Sequence, residues 1–270
     1  MHWQWVAVGY VAYLAIVSLT QPRFTRARRP LLLAAAAASI AVVVEFASAD
    51  PTPLPPALEV ILPAAVLLAG YWLSGLLFVE PDERLERWLQ SVDEALIGRT
   101  GALAWFRNAP RAVIEYFELS YLLVYIIVPA GALTLVLGGH PEQVGRFWTV
   151  VLLAEFTCYA MLPWLQTRPP RVIEGLLPAS DAPADRSTLR RLNLAILRTS
   201  SNQVNTLPSG HTAGAMATAL AVGSTMPAAG AVLLVFAASI AVAAVFGRYH
   251  YVVDSVLGLV VAAIAWAIST

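Results

Sequence analysis

Long apolar runs, each closed by a short polar cluster, dominate this 270-residue chain. A helix needs about 20 apolar residues to cross a bilayer core. On that measure the pattern predicts eight spans, at residues 4–20, 30–47, 54–79, 112–137, 143–165, 208–225, 229–246 and 250–268. The expected fold is all-α and polytopic. The second span holds an alanine run, Ala34 to Ala38, whose small side chains permit close helix packing. Pro51, Pro53, Pro55 and Pro56 stop one helix and turn the chain before the next.

Residues 81–98 depart from this pattern. Leu85, Trp88, Leu89, Val92 and Leu96 recur at helical spacing, while Asp82, Glu83, Arg84, Glu86, Arg87, Asp93 and Glu94 face away from them. Pro81 suits a first helical turn and Gly98 an end. An amphipathic helix lying in the membrane interface is expected, with Trp88 at headgroup depth. The alternative is a solvated connector. The longest polar stretch, residues 166–207, is rich in proline and arginine, and its segment 187–197 has the pattern of a short basic helix.

Composition agrees with the apolar runs. The chain is 59% hydrophobic and 13% charged, against roughly 25% charged residues in soluble domains. An integral membrane protein is expected. All 17 basic residues are arginine, so any phosphate contact must use a guanidinium, which binds bidentately. The single cysteine, Cys158, rules out an intrachain disulfide and a multi-cysteine metal site; core packing is its expected role. The first apolar run has no basic leader before it and is expected to be a retained span. With eight spans, every arginine except Arg146 falls on one face, which the positive-inside rule makes cytoplasmic.

Chemistry concentrates at the helix ends on that face. In Pro208-Ser-Gly-His211, proline starts a helix without losing a needed N–H. Thr206 is a candidate cap. The free first-turn amides of Ser209, Gly210 and His211 would form an anion site. Ser209 adds a hydroxyl, Gly210 allows close backbone approach, and a protonated His211 can donate to a leaving group. His250 and Asp254, four apart, share a helix face. Asp254 can fix the tautomer of His250 and leave its other nitrogen free for attack on phosphorus. Arg168 and Arg171, in a proline-stiffened stretch, and Arg248, two residues before His250, are candidate phosphate ligands. Each fragment alone also fits a plain helix cap, an interhelical hydrogen bond or a basic flank. Glu118, Tyr121 and Tyr125 share a face of the fourth span and form a possible headgroup pocket, and Glu155 lies inside the fifth; buried carboxylates need partners.

Together these fragments resemble the type 2 phosphatidic acid phosphatase (PAP2) superfamily. Its Pro-Ser-Gly-His signature is intact at 208–211, as is the His-x-x-x-Asp pair at His250 and Asp254. Its Arg-Pro motif appears as Arg168-Pro169, but the accompanying lysine falls on Met161, and the arginine six before the nucleophile falls on Ala244. The resemblance implies His250 as nucleophile, Asp254 as its orienting partner and His211 as the acid, with Ser209, the Gly210 amide and the arginines holding phosphate. It implies a six-helix core over 51–270, with the interfacial helix at 81–98 and an active-site loop at 166–207. Residues 1–50 would add two N-terminal spans. The Thr-Arg-Pro-Pro-Arg and Arg-Tyr-His-Tyr forms look closer to the branch containing inositol phosphorylceramide synthases. The implied partner is a lipid phosphate within the membrane, with no nucleic acid and no metal or other cofactor. Three classes are carried forward: a lipid-phosphate phosphatase, a phosphotransferase with an alcohol acceptor, and a non-enzymatic transporter or scaffold.

Overall fold

The computed structural model describes residues 3–47, 56–174, 187–202 and 204–269, and these are all-helical. Two helices open the chain, α1 (Trp3–Thr20) and α2 (Arg28–Ala47), followed by α3 (Pro56–Gly75). The short helices α4 (Glu83–Asp93) and α5 (Ala102–Arg107) lead into α6 (Arg111–Leu122) and α7 (Val124–Leu137). Then come α8 (Val144–Ala160), the single turn α9 (Pro170–Ile173), α10 (Thr188–Ser200), α11 (Gly210–Gly223), α12 (Pro227–Phe246) and α13 (Val252–Ile268). The proline turn expected at 51–56 lies almost wholly outside the described residues.

Helix α11 is the centre of the bundle, packed against α7, α8, α12 and α13. Its buried face is made of Ala213, Gly214, Ala215, Ala217 and Ala219. Lipid tails are as apolar as leucine, so helices associate in a bilayer through close packing, and small residues permit it. Larger side chains from α8 fill the space around α11, among them the fully buried Phe147, Trp148 and Leu152. Helix α1 docks on this core through Tyr10 and Leu14, and the Tyr13 hydroxyl donates to the Ala160 carbonyl at the end of α8. Exposed leucines, isoleucines and valines on α2, α3, α7, α12 and α13 form the surface that a bilayer would cover.

Four described helices are long and apolar enough to cross a membrane, or five if α6 and α7 count as one span bent by 60°. The expectation of eight goes beyond this. The apolar runs expected to hold the fifth, sixth and eighth spans form helices of 17, 14 and 17 residues, short of the usual 20 or so. The rest of each run is spent on turns that build the helix ends. The bend falls at Leu123, the single residue between α6 and α7, while Pro129 lies inside α7.

The polar face of α4 differs from its expected role. The helix starts two residues later than expected, at Glu83, because Asp82 caps it by accepting from the amides of Arg84 and Leu85 at 2.9 and 3.0 Å. Leu89 packs against Leu207 and Tyr251. Glu86 and Asp93, placed on the solvated face by periodicity, are each only 3% exposed. They turn inward because arginines distant in sequence meet them. Trp88, half exposed, points the other way.

Candidate active site

Two helix starts meet to form the site. Ser209 caps α11, its Oγ accepting from the Thr212 amide at 3.3 Å. The helix therefore begins at Gly210 and not at Pro208. The Gly210 amide donates to Thr206 Oγ1 at 3.3 Å, and the Ser209 amide to the Asp254 carbonyl at 2.9 Å. Gly258 lets α13 press onto this start, since a Cβ there would lie 2.6 Å from the Ser209 carbonyl oxygen. The α12–α13 connection is held from behind: the Ala244 carbonyl accepts from the amides of both Tyr249 and His250, each at 2.9 Å.

His211 and His250 are thereby brought face to edge, with ring centroids 5.7 Å apart and planes at 85°. Both line one cavity. The Nδ1 of His250 lies 3.3 Å from Asp254 Oδ2. That oxygen also accepts from the Tyr251 amide at 3.0 Å and from Asn205 Nδ2 at 2.9 Å. Asn205 is fully buried and is itself fixed by an isolated bridge to Thr167, its amide donating to the Thr167 carbonyl at 2.9 Å and its Nδ2 reaching Thr167 Oγ1 at 3.0 Å. The sequence held no signal for Asn205. It lies in a polar run with Asn202, and only the fold separates the two.

The three candidate arginines have different surroundings. Arg171 is 8% exposed, reaches the Tyr249 carbonyl with Nη1 at 3.3 Å, and lines the cavity. Arg168 is turned away from it: Nε and Nη2 donate to the Glu86 carboxylate at 3.0 and 2.7 Å. Arg248 is also turned away, pairing with Asp93 at 2.6 Å through Nη1 and with Glu174 at 2.5 Å through Nη2. A buried guanidinium needs such partners to offset desolvation. Burial pushes the Asp93 carboxyl up from its ordinary range, while the Val252 amide and the Arg248 guanidinium pull it back. Arg248 sits at φ 60°, in the left-handed region. That conformation costs roughly 1–3 kcal/mol and is held by the two carboxylates and by the Arg171 amide, which donates to the Arg248 carbonyl at 3.0 Å.

Tyrosines supply half of the remaining lining residues, namely Tyr71, Tyr121, Tyr159 and Tyr249. The cavity measures 20 Å³, room for about one water. Tyr121 stacks on Tyr249 at 3.7 Å and stands 5.8 Å from the His211 ring, edge to face. Tyr125 is 6.3 Å from that ring and 41% exposed, outside the cavity wall. Glu118 is sealed behind Tyr249, accepting from the Tyr249 hydroxyl at 2.6 Å, Asn193 Nδ2 at 2.7 Å and Arg190 Nη1 at 2.9 Å. Of the expected headgroup trio, Tyr121 alone lines the cavity. Ser209 and Gly210 likewise stand behind it, their hydroxyl and amide engaged in capping.

A family model described as the PAP2 superfamily matches residues 87–268, from within α4 to the end of α13; α1 to α3 lie before the matched region. No curated protein and no solved structure matches. With its two histidine-bearing helix starts inside a match that spans most of its length, the chain belongs to the PAP2 superfamily.

Proposed function

We propose that this chain is an integral membrane lipid-phosphate phosphatase working through a phosphohistidine intermediate. PAP2 membership supports a lipid phosphatase or a related phosphotransferase. One observation carries the finer reading: His211 and His250 edge one cavity with Arg171, and His250 presents Nδ1 to Asp254. With Nδ1 so engaged, Nε2 is the nitrogen available to phosphorus. In the first half-reaction Nε2 attacks, the bond to the lipid oxygen breaks, and His211 gives that oxygen its proton. Arg171 carries the charge that gathers on the phosphoryl oxygens. In the second half-reaction a hydroxyl group takes the phosphoryl group from His250.

The alternative is a phosphotransferase, in which that hydroxyl belongs to an alcohol. It is supported by the tyrosine wall around the histidines, which limits free water, and by the resemblance of the Arg-Tyr-His-Tyr stretch to inositol phosphorylceramide synthases. One assay separates the readings. Phosphatidic acid, phosphatidylglycerol phosphate and polyprenyl phosphates are incubated with purified protein, with and without alcohols. Inorganic phosphate marks hydrolysis and a new diester marks transfer; His250→Ala abolishes both. A protein that releases no phosphate from any of these lipids and is not stabilised by vanadate is a transporter or scaffold.

A further inference from the structure

Glu155 takes no part in the reaction drawn above, yet it is buried in α8, 6% exposed. Its Oε2 accepts a hydrogen bond from the Tyr159 hydroxyl, one turn along the same helix. Tyr159 lines the catalytic cavity. Helix α11 is notched to receive the pair: a Cβ at Gly210 would strike the Tyr159 ring, and one at Gly214 would strike the Glu155 carboxylate. The two glycines are one turn apart, as are the two side chains, so both contacts lie along one line of the α8–α11 packing. A carboxylate buried in an apolar helix is costly and marks a candidate functional group.

The direction of this hydrogen bond decides what Tyr159 can do. Its proton is committed to Glu155, so its oxygen is left with lone pairs that can only accept. A phosphoryl oxygen, also an acceptor, gains nothing there. A hydroxyl group can donate to it. We propose that Tyr159, held by Glu155, binds and deprotonates the acceptor hydroxyl, of water or of an alcohol, that removes the phosphoryl group from His250. The proposal rests on the phosphohistidine reading above. As the acceptor oxygen bonds to phosphorus, the bond from phosphorus to Nε2 of His250 breaks and its electron pair stays on the nitrogen. The acceptor proton passes to Tyr159, and the Tyr159 proton to Glu155. The proton then returns through Tyr159 to His211, replacing the one given to the lipid oxygen in the first half-reaction.

The test separates the half-reactions with a lipid phosphate labelled on phosphorus, a rapid alkaline quench, and the wild-type, Tyr159→Phe and Glu155→Gln proteins in detergent. Tyr159→Phe removes one oxygen and keeps the ring in its notch; Glu155→Gln keeps the shape of the carboxylate. In both, labelled His250 is expected to form at the wild-type rate and to decay at least about tenfold more slowly, so that it accumulates; a purely structural role would not shift this balance. The readout is taken from whichever variant keeps the wild-type melting temperature. Label that forms and decays within about twofold of wild type overturns the relay and leaves the phosphohistidine reading standing. Failure to label His250 in the wild-type protein overturns both.

Discussion

Arg168, Arg171 and Arg248 look alike in the sequence, each close to a proline or a histidine, and the carboxylates around them tell them apart. Arg171 faces the cavity, so Arg171→Ala is expected to lower turnover about 10²–10³-fold with a nearly unchanged melting temperature. Arg248 has the opposite profile. Its replacement by alanine leaves Asp93, 3% exposed, without its partner, and breaking such a buried pair costs about 3–5 kcal/mol. Thermal unfolding in detergent is expected to show the loss directly. Asn205 orients Asp254 from a loop, and a misplaced catalytic group costs up to about 10²-fold in rate. Asn205→Ala is therefore expected to lower kcat with little change in KM, measured on the best substrate of the lipid panel. The histidines and Asp254 were legible because a signature fixes their spacing. Asn205, Glu86 and Asp93 were not, because their roles come from residues 38, 82 and 155 positions away.

At the scale of elements, hydrophobic periodicity located the long helices well and their ends poorly. Residues 187–197 read as a short basic helix, and α10 occupies 188–200. Its content was hidden: Arg190 and Asn193 face inward to Glu118. The α4 sequence was legible as amphipathic, and Asp82, Glu83, Arg84, Arg87 and Glu94 are exposed as expected, but Glu86 and Asp93 are not, because periodicity records which residues share a face and not what meets them. The α11–α13 junction gives the element-scale prediction. Gly258→Leu puts a side chain where α13 meets the Ser209 carbonyl. It is expected to push the two helix starts apart and abolish activity while the remaining helices persist, seen as retained far-ultraviolet circular dichroism with no phosphate release.

Across the whole molecule, the matched region ends at residue 268 and begins within α4, so the family match covers the site and its support from α4, while α1 packs against α8 and α3 and α2 packs against α1. Membrane residence was legible from composition alone. The count of spans was not, because turns that build a site consume apolar residues that hydropathy assigns to helices. From Arg23, Arg26, Arg28 and Arg29, which are far from the site, we propose a cytoplasmic active-site face. A cysteine at exposed position 191, in place of arginine and in a Cys158→Ser background, is expected to react with an impermeant reagent only after the cells are permeabilised.

A single peptide oxygen, that of Ala244, suspends the amides of both Tyr249 and His250. The proposed nucleophile is thus bracketed to the tip of a long rod, α12, which packs against α11 and α6 on one side and turns exposed valines and leucines outward on the other, and wherever that rod leans the ring must travel too. Membranes thinner or thicker than the rod make it lean, so acyl-chain length in reconstituted vesicles should set the rate of phosphorus attack even when the headgroup offered is the same.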